Sequence, residues 1–213
     1  MTGVGTSEYE PYPTEMANHF YSLLFCDIPQ NFWAWAEGPA QPIFATSFNE
    51  KAVRALAEDK NGESRIRALA YRRLRLEGCA VPQRLLLGVV VETPLPRGLD
   101  ALAAYVDGRV RYLHGSGKEV AVEHDVVAMR GPRQALLRGA QDVVDELTPL
   151  QELRWPPPKA PNVRVTSVVS DGLYVGEANM GELTQDPLGG PILRATSDLM
   201  TAVIDYAKAK APR

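Results

Sequence analysis

The sequence has little of what defines secreted, membrane-spanning and disulfide-rich proteins. Its two cysteines, Cys26 and Cys79, are too few for a disulfide scaffold, and their apolar neighbours indicate two reduced, buried thiols. The longest strongly apolar stretch, 85–91, is far shorter than the ~20 residues that cross a bilayer. The acidic, polar start of the chain lacks the basic and apolar regions of a targeting signal. These absences predict a cytoplasmic protein that does not enter a membrane.

Recognisable metal and cofactor motifs are also absent. None of the three histidines, His19, His114 and His124, has a partner at i,i+4 or a nearby Cys-x-x-Cys pair, so no metal site is predicted. No glycine cluster follows the strand–turn–helix order of a dinucleotide site. We therefore expect no cofactor, and no motif specifies a chemical reaction.

Positive charge is missing from the first quarter of the chain. Residues 1–50 contain six acids and no lysine or arginine, whereas residues 51–84 carry nine bases and four acids. The net charge of −3 excludes the strongly basic balance that sequence-independent nucleic-acid binding needs. Arginines outnumber lysines by 17 to 6, which is typical of a GC-rich bacterial source. The uneven distribution indicates either internal pairing of charges or binding of a partner.

Hydrophobic periodicity predicts an α+β protein, with a mainly antiparallel meander sheet covered by amphipathic helices. Helices are predicted in a segment capped by Asp27 and in 50–60, 63–77, 132–147 and 191–208. Strands are predicted in eight short segments: 19–26, 42–46, 85–92, 102–106, 109–113, 119–123, 163–169 and 173–178. Because several of these strands follow one another across short turns, antiparallel pairing is favoured.

A single folded domain is predicted over residues 16–213, after a mobile N-terminal tail over 1–15. This domain has a helix-rich part, 16–80, followed by the sheet and the C-terminal helices, 81–213. Residues 154–161 are rich in proline. They are predicted to form an extended connector, since consecutive prolines exclude helix and sheet interior.

The connection between strands 109–113 and 119–123 is predicted from their register. A five-residue loop, 114–118, pairs Tyr112 with Val120 and Val110 with Val122 on one face, and Arg109 with Glu123 on the other. A four-residue loop would oppose apolar and charged side chains on both faces, so the longer loop is favoured.

The loop 114–118 is also the most suggestive local motif, because it offers a base, a nucleophile and a cation. His114 and Ser116 are the candidate catalytic residues of a hydrolase, and Lys118 is a candidate binding residue. The loop fits neither the phosphate-loop pattern nor the nucleophile elbow. The favoured interpretation is therefore a flexible hairpin tip.

The predicted helix 63–77 carries a cluster of arginines beside its apolar stripe. Helical phase places three of them on one edge and Arg73 within the stripe, where it must pair with a carboxylate or extend its charge to water. Glu63 and the acids of residues 1–50 are the available partners. Neutralisation of the edge by residues 1–50 is favoured over a site for an anion or an acidic partner. The candidate binding residues are Arg65, Arg72, Arg73 and Arg75.

Two tryptophans, Trp33 and Trp35, are the aromatic candidates for binding. At a spacing of two on a helix their side chains point to opposite sides, so we expect one in the core and the other exposed. An exposed tryptophan near an acidic region is typical of a partner site.

Three functional hypotheses follow from these patterns. The favoured one is a non-enzymatic interaction or regulatory protein whose charged and aromatic surface binds another protein or a second copy of the chain. The second is a small-molecule-binding domain with a pocket between sheet and helices for an anionic ligand. The third is a hydrolase that uses the loop 114–118 or Cys26. Nucleic acids and membranes are not expected as partners.

Overall fold

A six-stranded antiparallel sheet forms the centre of the protein, in a computed structural model that describes residues 9–96, 98–151 and 154–210. In chain order the strands are β1 (Leu86–Leu95), β2 (Gly98–Tyr105), β3 (Val110–Leu113), β4 (Glu119–Val122), β5 (Asn162–Val169) and β6 (Gly172–Asn179). Across the sheet they lie in the order β4-β3-β2-β1-β5-β6, and neighbouring strands are antiparallel. The predicted α+β class is confirmed.

Helices pack on this sheet and connect its parts. They are α1 (Glu15–Ser22), a 3₁₀ helix (Pro29–Trp35), α2 (Gln41–Phe44), α3 (Glu50–Glu58), α4 (Ser64–Leu76), α5 (Val127–Glu146), α6 (Met180–Gln185) and α7 (Gly189–Lys210). Side-chain caps define three of the starts, because the side chains of Thr14, Asn49 and Asn179 accept hydrogen bonds from free backbone N–H groups of α1, α3 and α6.

One face of the sheet packs against α5 and α7 through a continuous apolar cluster. Val91 and Leu102 from the sheet and Leu199 from α7 belong to it, and all are buried. The two helices approach closely at Gly139, where a Cβ atom would lie 2.8 Å from Cγ1 of Ile192. The absence of a side chain at this glycine therefore positions α7 against α5.

The opposite face packs against the N-terminal helices and α4. Leu87 and Val168 contact the cluster around α4, while Val90 contacts the cluster around α1. The Tyr105 ring lies across from Gly88, and its hydroxyl group donates a hydrogen bond of 2.8 Å to the carbonyl oxygen of Leu24. The N-terminal part of the chain thus covers this face of the sheet.

Two predicted strands are wrong, because both segments overlap helices. Residues 19–22 belong to α1, where Ala17 and Tyr21 are buried on one face at i,i+4 spacing, and residues 23–26 form neither helix nor strand. Residues 42–46 overlap α2, in which Pro42 occupies the first turn, a position that proline favours. In both cases the apolar run is short and does not alternate, so that periodicity alone does not separate strand from helix.

The predicted register of the β3–β4 hairpin is confirmed. Tyr112 pairs with Val120 and Val110 with Val122, which requires the five-residue loop. On the other face, Nε of Arg109 lies 3.3 Å from a carboxylate oxygen of Glu123. The strands are therefore aligned by keeping apolar side chains on one face.

The structure describes part of the predicted N-terminal tail and all of the proline-rich segment 154–161. Of the predicted tail, residues 1–8 lie outside the described residues, but Tyr12 is buried and its hydroxyl group donates to the carbonyl oxygen of Leu99 at 2.8 Å. The chain is therefore already packed on the sheet at Tyr12. Residues 154–161 lead into β5 with neither helix nor strand, and the division into a single domain stays a prediction.

Candidate functional site

A cleft with a volume of about 700 Å³ opens beside the C-terminal half of α4. Its other walls are the turn between β5 and β6, the chain after α1, and the segment between α5 and β5. We call it the arginine cleft, because three of its lining residues are arginines. Its charged lining residues are Asp27, Arg72, Arg75, Arg154 and Asp171.

Two arginines of α4 line the cleft together, since residues three apart lie on the same face of a helix. Within the described residues neither Arg72 nor Arg75 forms an ion pair, and only Arg75 forms a side-chain hydrogen bond, to the carbonyl oxygen of Ser170. Burial lowers the pKa of both guanidinium groups, and the charge of Arg72 lowers the pKa of Arg75 further. The cleft therefore concentrates positive charge that the neighbouring carboxylates do not bind directly.

A buried ion pair between Asp27 and Arg154 forms the inner wall. The guanidinium group of Arg154 donates to Oδ1 of Asp27 and lies over the ring of Phe25, with Cζ 4.4 Å from the ring centroid. Both residues are almost excluded from solvent. Oδ2 of Asp27 and Nε of Arg154 have no hydrogen-bond partner among the described residues. The pair is thus only half satisfied, although burial makes each missing hydrogen bond costly.

Asp171, in the turn between β5 and β6, shows the same pattern. Its Oδ2 atom accepts a hydrogen bond of 2.9 Å from the hydroxyl group of Tyr174, whereas its buried Oδ1 atom has no partner. Of the eight buried side-chain atoms without a partner in the described chain, three belong to residues that line the arginine cleft. Buried atoms of this kind are rare in proteins, and a cluster of them calls for an explanation.

Cys26 also lines the arginine cleft, but its environment does not favour a nucleophile. The residue is buried, and burial raises the pKa of the thiol well above its ordinary value. A reactive cysteine needs a lowered pKa and access to solvent. The hydrolase hypothesis for Cys26 therefore gains no support from this geometry.

The other arginines predicted from α4 lie outside the cleft. Arg65 is buried, lies 2.5 Å from Glu63 and stacks on Trp35, with Cζ 4.9 Å from the ring centroid. Arg73 pairs with Glu77 at 2.8 Å and keeps 22% of its side chain exposed. Arg73 thus lies apart from Arg72 and Arg75, as helical phase predicts, whereas Arg65, which was expected on the same edge as these two, is absent from the lining of the cleft.

In the described structure, Arg65 and Arg73 do not pair with the acids of residues 1–50. The carboxylates that pair with Arg65 and Arg73 are Glu63 and Glu77, which lie next to α4 in the sequence. Among the acids of residues 1–50, Asp27 lies at the cleft, but its ion pair is with Arg154. Glu77 lies one helical turn from Arg73, and Glu63 directly precedes α4, so both partners are close to their arginines along the chain.

The loop 114–118 lies at the far end of the sheet from the arginine cleft. The backbone N–H of Gly115 donates to Asp100 of β2, which pairs with Thr93 near the end of β1. The cleft lies near Val169 of β5, which pairs with Leu86 at the start of β1. His114 and Ser116 are exposed, and Nδ1 of His114 lies 2.9 Å from Oγ of Ser116.

This contact is a feature of the turn, because the backbone N–H of Ser116 donates to the same nitrogen at 3.1 Å. Within the described chain no third side chain orients the imidazole, as a catalytic triad would require. Lys118 is exposed at the same tip and lies far from the arginines. The catalytic role of His114 and Ser116 stays a prediction.

The two tryptophans occupy different environments, as their spacing predicts. The Trp33 side chain is 71% exposed, whereas Trp35 packs on Phe32, with ring centroids 4.8 Å apart. Trp35 is thus part of the packing around Arg65. Trp33 is the tryptophan of this pair that is free to contact a partner.

Sequence reasoning did not find three residues of the site: Asp27, Arg154 and Asp171. From the sequence, Asp27 is predicted to cap a helix, Arg154 to begin the extended connector, and Asp171 to lie between two strands. The only sequence signal was the presence of charged residues beside strongly apolar or proline-rich segments, which is weak. Their association depends on chain segments that are distant in sequence.

Comparisons with known proteins do not assign this chain to a family. Neither the scan against protein-family models nor the search of curated proteins returned a match.

In the described residues, no group of three or more His, Cys, Asp or Glu side chains is arranged to hold a metal ion. No described helix has both the length and the apolar character needed to cross a membrane. The arginine cleft is therefore the main structural indication of function.

Proposed function

We propose that the protein is a non-enzymatic binding protein, and that its arginine cleft binds the negatively charged group of a small molecule. The observation that carries the proposal is the pair of arginines, Arg72 and Arg75, that line one cleft without a carboxylate partner among the described residues. Guanidinium groups present forked N–H donors that match carboxylate and phosphate oxygens.

The unfavourable electrostatics of this pair supports a ligand. Burial penalises both charges, and their mutual repulsion adds to the penalty at Arg75. Stability alone would favour neutral side chains or nearby carboxylates, as at Arg65 and Arg73. Local conflict with stability is typical of binding sites, where the ligand supplies the missing interaction.

The size and lining of the cleft agree with a small-molecule site. Its volume of about 700 Å³ lies within the typical range for such sites, roughly 300–1,000 Å³. Apolar side chains, including Leu150 and Leu173, line it together with the charged groups. This combination buries the carbon skeleton of a ligand while a few polar groups fix its orientation.

The broader hypothesis of a protein-interaction surface rests on separate features. The exposed Trp33 lies on the 3₁₀ helix, and it is absent from the lining of the arginine cleft. Trp33 therefore does not contribute to the arginine cleft. We accordingly place the proposed binding in the cleft.

Calorimetric titration with inorganic phosphate and with citrate, at constant ionic strength, tests this function. We expect saturable binding of at least one anion, and Arg72→Gln should weaken it at least tenfold, or about 1.4 kcal/mol. Arg138→Gln is the matched control, because it removes one positive charge from the exposed surface of α5. Equal weakening in both variants, or no binding of either anion to the natural protein, would overturn the proposal.

A further inference from the structure

The charged groups that a ligand of the arginine cleft can reach lie mainly on α4. Arg72 and Arg75 line the cleft and are only partly buried. Asp27 and Arg154, by contrast, are almost excluded from solvent and bind each other. The unpartnered carboxylate oxygen of Asp171 is also inaccessible, and its other oxygen already accepts a hydrogen bond. The accessible charge of the described lining is therefore concentrated at the two arginines.

Apolar side chains line the same cleft beside these arginines. Leu76 ends α4 one helical turn after Arg72, and it is 66% exposed. Leu150 and Leu173 are adjacent on another wall, because the backbone N–H of Leu150 donates to the carbonyl oxygen of Leu173 at 2.7 Å. A single exposed leucine is ordinary, but several apolar side chains that share a cleft with arginines indicate a ligand that has an apolar part.

We infer that the ligand is an amphiphilic anion, in which one carboxylate or phosphate group is joined to an unsubstituted hydrocarbon chain. This inference rests on the anion-binding function proposed above. The negative group binds the two arginines, and the chain lies against Leu76, Leu150 and Leu173. Binding then removes both the hydrocarbon chain and the leucine side chains from water, which is favourable in proportion to the apolar area that is buried.

A second, smaller cavity of about 390 Å³ adjoins the arginine cleft and extends the space for such a chain. The two cavities share Arg75, Pro149 and Asp171. The other described residues that line the smaller cavity are uncharged: Gly78, Cys79, Ala80, Val81 and Gln83. Burial against uncharged walls penalises a second ionised group and favours an uncharged extension of the ligand.

Calorimetric titration with butyrate, hexanoate and octanoate, each below its micellar concentration, tests the inference. A fully buried methylene group strengthens binding about fourfold, and a cleft that is open to solvent buries only part of each group. We therefore expect affinity to rise about twofold per methylene group, or by roughly tenfold or more from butyrate to octanoate. Octanol has the same chain length without the charge and should bind at least about tenfold more weakly than octanoate. Butyl phosphate and octyl phosphate form a second arm, which distinguishes a phosphate group from a carboxylate group.

The variant Leu76→Ser separates the apolar contact from the anion contact. Because Leu76 is exposed, we expect the fold to be retained, with octanoate binding about fivefold more weakly and butyrate changed by less than about twofold. Val127→Ser is the matched control, since Val127 at the start of α5 is 73% exposed and lines neither cavity. Arg72→Gln should instead weaken butyrate and octanoate by the same factor.

The outcomes separate this inference from the proposed function. Equal binding of butyrate and octanoate leaves the anion-binding function standing and overturns the hydrocarbon chain. A chain-length effect that survives Leu76→Ser, or that is lost equally in Val127→Ser, overturns the contact with the leucines. Octanol that binds as tightly as octanoate overturns the role of the arginines, and with it the proposed function.

Sedimentation with vesicles of phosphatidylcholine and phosphatidylglycerol examines the other source of the same chemistry. We expect the protein to stay in the supernatant while it binds free octanoate. Sedimentation with the vesicles, without binding of free octanoate or octyl phosphate, overturns the inference in favour of a lipid surface. If no carboxylate, no phosphate and no vesicle binds, the function proposed for the cleft fails first.

Discussion

The two faces of the sheet are covered by different kinds of packing. Towards α5 and α7, side chains such as Val91 and Leu199 form a continuous apolar cluster. Towards the N-terminal helices, the buried layer contains many charges. Eight charged residues of the described chain are buried, and all but Arg133 of α5 lie on this side. Both faces therefore bury apolar side chains, but the face towards the N-terminal helices combines them with most of the buried charges of the described chain.

The charged layer connects distant parts of the chain. Glu92 of β1 accepts a hydrogen bond of 2.5 Å from the hydroxyl group of Tyr21 on α1. Arg164 lies across from Glu92 in the sheet, and it donates to Glu177 and to the carbonyl oxygens of Trp155 and Pro156. These contacts hold α1 and the proline-rich segment against the sheet. The cleft lies where this layer reaches the surface, so the buried charges and the proposed binding site are on the same face of the sheet.

The largest effect should come from breaking the buried ion pair on the charged face. In Arg154→Met, Asp27 stays buried without its partner, so we expect the free energy of unfolding to fall by about 4 kcal/mol. Urea denaturation at pH 7 measures this change. Asp27→Leu combined with Arg154→Met should recover most of the loss, because paired charges replaced by apolar groups are often tolerated. Failure of the double variant to recover would mean that the pair is needed for more than charge compensation.

A cavity on the apolar face should have a slightly smaller effect. Leu199→Ala removes a fully buried side chain from between α7 and the sheet, and we expect a loss of about 3 kcal/mol in the free energy of unfolding. Unlike variants on the charged face, Leu199→Ala should lower the free energy of unfolding by the same amount at pH 5 and at pH 8, since the substitution alters no titratable group. Denaturation at the two pH values provides the measurement. A marked pH dependence would contradict the separation of the two faces.

A smaller, pH-dependent effect is expected at Glu92. Its side chain is 1% exposed, and burial raises its pKa to about 7 despite the opposing influence of Tyr21, Arg164 and Arg154, while Glu177 reinforces the increase. A raised pKa in the folded protein gives stability that is complete below the ordinary value of 4.5 and is lost as pH rises through 7.

Glu92→Gln should remove this loss, because glutamine keeps an oxygen that accepts from Tyr21 and does not ionise. The variant should match the natural protein near pH 4, below the ordinary pKa of a glutamate. Towards pH 8 it should become the more stable of the two, with a difference that grows by at most about 1.4 kcal/mol per pH unit. Denaturant unfolding of both proteins across this range tests the prediction. A constant difference would show that Glu92 keeps the same charge throughout.

The contrast between the faces also explains what the sequence could predict. Alternation and helical spacing identified β3, β4 and α7, and they aligned Tyr112 with Val120, because apolar burial leaves a regular local pattern. The charged face leaves no such pattern. Asp27 and Arg154 are 127 residues apart, so neither residue signals the other. Helical phase could place Arg72 with Arg75 and apart from Arg73. The cleft that these two arginines line is formed by chain segments that are distant in sequence, so helical phase could not predict it.

The smallest expected effects distinguish a binding arginine from a structural one on the same helix. Arg73→Gln removes an i,i+4 ion pair with Glu77, so the free energy of unfolding should fall by about 0.3–0.5 kcal/mol. Arg72→Gln removes a half-buried charge that repels Arg75, so it should leave stability unchanged or raise it by about 0.5 kcal/mol without ligand. With saturating anion, Arg72→Gln should become the less stable of the two variants. Arg73→Gln keeps Arg72, so bound anion stabilises its folded state, whereas Arg72→Gln binds the anion weakly. Thermal denaturation with and without the anion measures both differences. If Arg72→Gln destabilises the free protein by more than Arg73→Gln does, Arg72 is a structural residue and the charged face is built for stability alone.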